Sequence, residues 1–147
     1  MNIVNYEIAK KLKEKGFREE CLLHYTDTGN LLSNSIDTYD RPNQELDYSD
    51  FQKCFNNGNS IGLVDAPTIS QVLEWMRKET KIHITANMHQ DESEDADGRI
   101  VDEWCFWNWD VQSCISGNFL QDGDDTQYET YESATLAGIE YVIENLI

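Results

Sequence analysis

Between Ile100 and Val111 the chain reads IVDEWCFWNWDV, with Trp104 and Phe106 on one parity and Trp107 and Trp109 on the other. Successive side chains of a strand point to opposite faces, so aromatics on both parities demand at least partial cover on both sides of the sheet that holds them. An isolated hairpin cannot supply that cover, and other elements must pack on it. A chain of 147 residues is long enough to bury about two-thirds of the surface its unfolded form exposes, and one globular domain over residues 1–147 is expected.

The flanking periodicities predict an α+β fold. Tyr6 to Lys15 reads as a helix with Ile8, Ala9 and Leu12 on one side, stopped by Gly16 in a left-handed cap that folds Phe17 back. Leu22, Leu23, Tyr25, Leu31, Leu32 and Ile36 flank Asp27-Thr28-Gly29-Asn30, the pattern of a short hairpin. Residues 37–62 read as a long irregular connection with a short helical piece at Tyr48 to Phe55.

Thr68 and Gln71 form a capping box ahead of Ile69, Val72, Leu73 and Met76, a helix ending near Glu79. Lys81 to Met88 alternates as a half-buried strand, Asp91 to Gly98 reads as its turn, and turn signals near Cys114 leave the end of the aromatic strand open. Thr130 caps a final helix with Leu136, Ile139, Val142, Ile143 and Leu146 on one stripe. The expected architecture is an antiparallel sheet of about three to five strands with two or three helices packed on one face. In it, helices 67–79 and 131–146 cover strands 81–88, 100–111 and 112–120, and the first helix and hairpin extend the same unit.

Charge narrows the partners. The formal net charge is −17, and it is uneven: residues 1–81 carry 13 acids and 10 bases, residues 82–147 carry 15 acids and only Arg99. Such a field opposes direct nucleic-acid binding, which depends on neutralising phosphates. There is no 18-residue apolar run and no apolar signal core near the start, so neither membrane association nor secretion is expected and the cytoplasm is the expected location. Cys21, Cys54, Cys105 and Cys114 lack the spacing of a zinc knuckle or redox motif and read as free thiols.

No catalytic, cofactor-binding or metal-ligating set is expected. Ser93, Asp95, Asp97 and Gly98 match part of a calcium loop, but its twelfth position falls on Trp104 where a bidentate Glu is needed. His83 and His89 share a parity yet lie about 20 Å apart on a continuous strand. Cys21 and His24, three residues apart, have no third group in the sequence to orient them.

Two segments, DAPTISQVLEWMRKETKIHI (Asp65 to Ile84) and YETYESATLAGIEYVIENLI (Tyr128 to Ile147), look like recurrent segments of small uncharacterised proteins of prophages and mobile elements in gut bacteria. The resemblance covers roughly residues 66–147 and implies a compact α+β fold and a phage-related origin. It carries over no catalytic residues. Ser133 and Thr135 depart from the Glu or Ala common in those relatives, which is expected to weaken the capping box of the last helix.

A non-enzymatic accessory protein that binds another protein, one with a basic surface, is the expected function. Trp104, Trp107 and Trp109 would supply apolar contact beside the acidic loop. The alternative is an acidic nucleic-acid mimic that blocks a basic host nuclease or regulator, with Asp91, Glu92, Glu94, Asp95, Asp97, Asp122, Asp124 and Asp125 standing in for phosphates.

The concentrated charge has a measurable consequence. Salt screens repulsion over a Debye length of about 8 Å at 0.15 M, so the melting temperature should rise between roughly 10 mM and 300 mM sodium chloride. Replacing Asp91, Glu92, Asp124 and Asp125 by Lys should remove most of that rise. A melting curve insensitive to salt would show that the acids do not form a concentrated repulsive field.

Overall fold

A computed structural model describes residues 2–33, 64–123 and 125–147 of the chain. Ile36, the connection at 37–62 with its helical piece, Cys54 and Asp124 lie outside the described residues. The fold is α+β, and the described residues form three helices and two three-stranded antiparallel sheets. The described residues group into two compact units, Ile3–Thr68 and Ile69–Ile147.

In the first unit α1 spans Tyr6–Glu14 behind Asn5, whose side chain accepts from the Ile8 amide. The expected stop is present: Gly16 has φ +93°, the Phe17 amide donates to the Leu12 carbonyl at 3.0 Å, and Phe17 is buried. β1 (Leu23–Tyr25) and β2 (Leu31–Ser33) form the expected hairpin, and β1 pairs on its other edge with β3 (Val64–Asp65). The order β2-β1-β3 closes a small sheet of its own instead of extending the aromatic one. Val4, Ile8, Leu12, Phe17, Cys21 and Tyr25 are buried, and the Tyr25 hydroxyl donates to the Val4 carbonyl at 2.6 Å.

The second unit begins with α2 at Ile69–Trp75, immediately after Thr68, and continues as one wide π-helical turn over Met76–Thr80. Lys81 ends it in the left-handed region at φ 59°. β4 (Ile82–Glu94) and β5 (Ile100–Ser113) then form a long hairpin in which Ile84 faces Val111, Ala86 faces Trp109 and Met88 faces Trp107. β4 runs to Glu94, well past Met88, and the turn shrinks to Asp95–Arg99. Acidic residues are poor strand formers, but pairing with Ile100 to Trp104 carries them in the ladder all the same.

After a turn at Cys114–Ser116, β6 (Phe119–Asp122) pairs with β5 from Asp110 to Gln112, giving the order β4-β5-β6. α3 (Tyr131–Asn145) closes the unit; of the expected stripe Ile139, Val142 and Ile143 are buried, while Leu136 is half-buried and Leu146, at the cap beyond the last helical residue, is exposed. Its capping box is complete, contrary to the expected weakening: Thr130 Oγ1 accepts from the Ser133 amide at 3.1 Å, and Ser133 Oγ accepts from the Thr130 amide at 3.3 Å. Ser133 reaches back as Glu would, because a short hydroxyl at this position still meets the cap backbone.

The aromatics are handled asymmetrically. α3 lies on the face of β5 that carries Trp107, Trp109 and Val111, where Trp109 packs on Tyr141 with ring centroids 5.1 Å apart and Trp107 meets Tyr131 edge-on at 5.5 Å. The opposite face holds Phe106 stacked on His89 at 5.4 Å, and Trp104, which remains 36% exposed. The expectation that both faces are covered therefore holds fully for only one. The polar neighbours Asn87, Asn108 and Asp110 give the other face a surface that water can solvate.

α3 approaches the sheet at Gly138. An added Cβ there would lie 2.8 Å from Ile84 Cγ2 and 3.4 Å from Trp109 Cβ, both in buried residues. Gly138→Ala gains about 1 kcal/mol of helix propensity but forces the helix off a packed face, at a cost of about 1–3 kcal/mol. We expect a net loss, seen as a lower urea midpoint with an unchanged slope. A raised midpoint would mean that the close approach is not limiting.

Candidate functional site

The outer half of the β4–β5 hairpin projects beyond the part covered by α3. Between residues 91 and 103 it carries Asp91, Glu92, Glu94, Asp95, Asp97, Asp102 and Glu103 against the single cation Arg99. The register sets Glu92 directly opposite Glu103, and Asp91 directly opposite Trp104. Like charges facing each other across a ladder destabilise it, so this arm holds unrelieved repulsion that a cationic surface would remove.

Apolar groups share the arm. Met88 is 62% exposed and Val101 63%, with Ile100 about half exposed and Trp104 36%; Met88, paired with Trp107, and Trp104, paired with Asp91, stand on opposite faces of the ladder. The edges are closed to strand addition at two points: the Glu92 amide donates to Asp91 Oδ1 at 2.9 Å, and the Glu103 amide donates to Asp102 Oδ1 at 3.0 Å. Side chains that occupy edge amides in this way block a further strand, so the arm is suited to contact through its faces.

The tip explains the partial calcium-loop pattern. Asp95 Oδ1 accepts from the amides of Asp97 and Arg99 at 2.9 and 3.0 Å, and the Gly98 amide donates to the Asp95 carbonyl. That carboxylate closes the turn. Among the described residues no group of His, Cys, Asp and Glu has the arrangement of a metal site. His83 and His89 sit six positions apart on one continuous strand.

The structure brings together only part of the expected interaction set. Asp91, Glu92, Glu94, Asp95 and Asp97 lie on the arm with Trp104. Trp107 is half-buried under Tyr131. Trp109, expected in an exposed patch, is only 3% exposed, because α3 packs over it, and belongs to the core. Asp122 faces Asp110, and Asp110 is eight residues along β5 from Asp102, about 26 Å away. Asp125 follows β6 in the connection to α3. The acids thus form two groups and not one continuous track. Met88, Ile100 and Val101 were not singled out by the sequence reading; their signal was their place in the same segment as the acids, where an apolar side chain has little to bury it.

In the first unit, Cys21 and His24 do have a carboxylate beside them: His24 Nε2 lies 3.2 Å from Asp65 Oδ1, and both Cys21 and His24 are buried. The chemistry is nevertheless that of an inert thiol. Burial, and then the charges of Asp65 and Glu19, push the Cys21 pKa up to about 12, and Sγ lies 3.5 Å from the Glu19 carbonyl to which it donates. A nucleophilic cysteine needs the opposite shift. Cys105 and Cys114 are exposed.

Comparison with protein-family models, with curated proteins and with solved structures finds no match to this chain. No helix among the described residues is long and apolar enough to cross a membrane.

An unfolded thiol ionises near pH ~8.5, whereas folded Cys21 holds its proton up to about 12. The unfolded state loses that proton first, so Cys21 withdraws stability as the pH rises through this window. In native protein at pH ~8, thiol reagents should label Cys105 and Cys114 within minutes and Cys21 only after denaturation. Peptide mapping by mass spectrometry reads each site, and rapid native labelling of Cys21 would contradict its burial.

Proposed function

We propose that this chain is a non-enzymatic accessory protein of phage or mobile-element origin, acting in the cytoplasm, and that it works by docking the β4–β5 arm onto a protein with a basic surface. The observation that carries the reading is the arm itself, where exposed Met88, Val101 and Trp104 stand among seven carboxylates. Apolar residues supply contact area, and the charge raises the encounter rate and selects a cationic partner. The directly opposed Glu92 and Glu103 add to the selection, because a Lys or Arg placed between them relieves repulsion inside the arm as it binds. The likeness of residues 66–147 to prophage proteins supports the origin.

A nucleic-acid mimic is the weaker reading. It calls for a continuous carboxylate track, whereas Asp122 and Asp125 are remote from the arm acids, and apolar side chains interrupt those on the arm.

The test is capture of interacting proteins from bacterial lysate at low and high salt, followed by measurement of affinity for the captured protein. Trp104→Ala with Met88→Ala should weaken binding at least tenfold, mostly through faster dissociation. Lysine in place of Asp91 and Glu92 should slow association and flatten the salt dependence. If the apolar variant binds normally while the lysine variant loses the partner outright, the contact is mimicry and the docking reading fails.

A further inference from the structure

β4 is an edge strand of its sheet, and its inner length carries none of the devices that keep an edge unpaired. Residues 82–90 read IHITANMHQ, nine positions without Asp, Glu, Lys, Arg, Pro or Gly in a chain of which 27% is charged. The irregularity in the β4–β5 ladder falls at Ser93/Glu94, and the amide that a side chain occupies on β4 is that of Glu92. Both lie beyond Gln90. On β5 the corresponding stretch is taken: the Trp107 amide donates to the Tyr128 carbonyl, the Trp109 amide donates to Asn108 Oδ1, and Asp110 to Gln112 pair with β6.

The ladder fixes which groups of β4 face outward. Trp107 exchanges both of its remaining backbone bonds with Tyr128, at 2.8 and 2.9 Å, on the side away from β4. Its partner Met88 therefore sits in a non-hydrogen-bonded pair, and the Met88 N–H and C=O point away from β5. Alternation turns the backbone groups of Ile84, Ala86 and Gln90 the same way. Among the described residues these outward groups have no hydrogen-bond partner.

An antiparallel strand completes such an edge, and β4 is complementary to itself. A two-fold axis at Ala86 sets Ile84 opposite Met88 of the second copy, Thr85 opposite Asn87 and Lys81 opposite Asp91. Ile84 and Met88 join apolar side chains on the α3 face, where Met88, 62% exposed, gains cover. Lys81 and Asp91 join opposite charges on the other face. The Lys81 ammonium donates to the Lys78 carbonyl, and no carboxylate pairs with it among the described residues. Moving the axis to Met88 would set Ile84 against Glu92, whose amide is already occupied. With the axis at Ala86 the two arms run in opposite directions and their Asp91 carboxylates stand about 34 Å apart, far beyond a Debye length of about 8 Å at 0.15 M.

We propose that the chain forms a two-fold homodimer by antiparallel pairing of β4, over Ile82–Gln90, with β4 of a second copy. The product is one continuous sheet of order β6-β5-β4-β4-β5-β6. The inference does not rest on the arm's partner, because it concerns this chain alone.

Sedimentation velocity of the purified chain from about 1 to about 300 μM, in about 0.15 M sodium chloride, should show a monomer–dimer equilibrium with a Kd on the order of 10 μM, since a strand edge buries less than a standard interface. Hydrogen exchange read by mass spectrometry should slow with rising concentration in the peptide covering residues 82–90 and stay constant in β6. Ala86→Pro removes an outward amide at the axis, in a position where an edge strand accepts proline, and should abolish the dimer. Lys81→Glu should weaken it about tenfold, and adding Asp91→Lys should restore it, with the melting temperature reporting that each variant folds. If Ala86→Pro fails to fold, the exchange of Lys81 and Asp91 decides alone. Trp104→Ala should leave self-association unaltered, which separates it from docking by the arm. A chain that stays monomeric throughout leaves this edge to a strand of another protein and overturns the proposal. Self-association without protection of residues 82–90, or without restoration in the exchanged variant, overturns it as well.

Discussion

Gly138 lets α3 come down on the hairpin until its backbone faces Ile84 and Trp109 with no side chain between. The rest of the second unit depends on that approach. It buries Trp109 and Val111, aligns Tyr131 over Trp107 and Tyr141 over Trp109, and leaves only the inner half of β4 and β5 under the helix. A 15-residue helix is about 22 Å long, whereas the 14 residues of β5 extend about 46 Å. A helix of this length cannot cover the whole hairpin, and the uncovered length is the arm.

Charge follows the same division. Where α3 covers the sheet, the register pairs apolar residues, such as Ile84 with Val111 and Ala86 with Trp109. Beyond the helix it pairs Glu92 with Glu103 and Asp91 with Trp104. Solvated carboxylates tolerate such pairing because water screens them, and the cost that remains is what a basic partner would recover. Asp91 and Asp102 also occupy neighbouring edge amides, which keeps the outer half of a long, partly apolar hairpin from recruiting further strands.

Much of the fold was legible in the sequence because local signals act over a few residues. Gly16 with Phe17 marks the end of α1, Asp27 to Asn30 the first turn, Thr130 the start of α3, and the alternation after Lys81 the start of β4. What proved illegible depended on partners distant in sequence. β4 was expected to end at Met88 ahead of a turn over Asp91 to Gly98, yet its pairing with β5 runs on to Glu94. The first hairpin was expected to join the aromatic sheet, but β3 pairs with it instead, a choice made by a segment 40 residues away from β1.

The candidate site divides in the same way. The sequence by itself determined the composition of the arm, an aromatic strand beside a run of acids, and the α+β class, since periodicity and net charge are properties of the chain whatever its pairing. Only the tertiary structure decided which tryptophan is core and which is surface. Parity places Trp107 and Trp109 together, but the position and length of α3 bury one, half-bury the other and leave Trp104 on the open face.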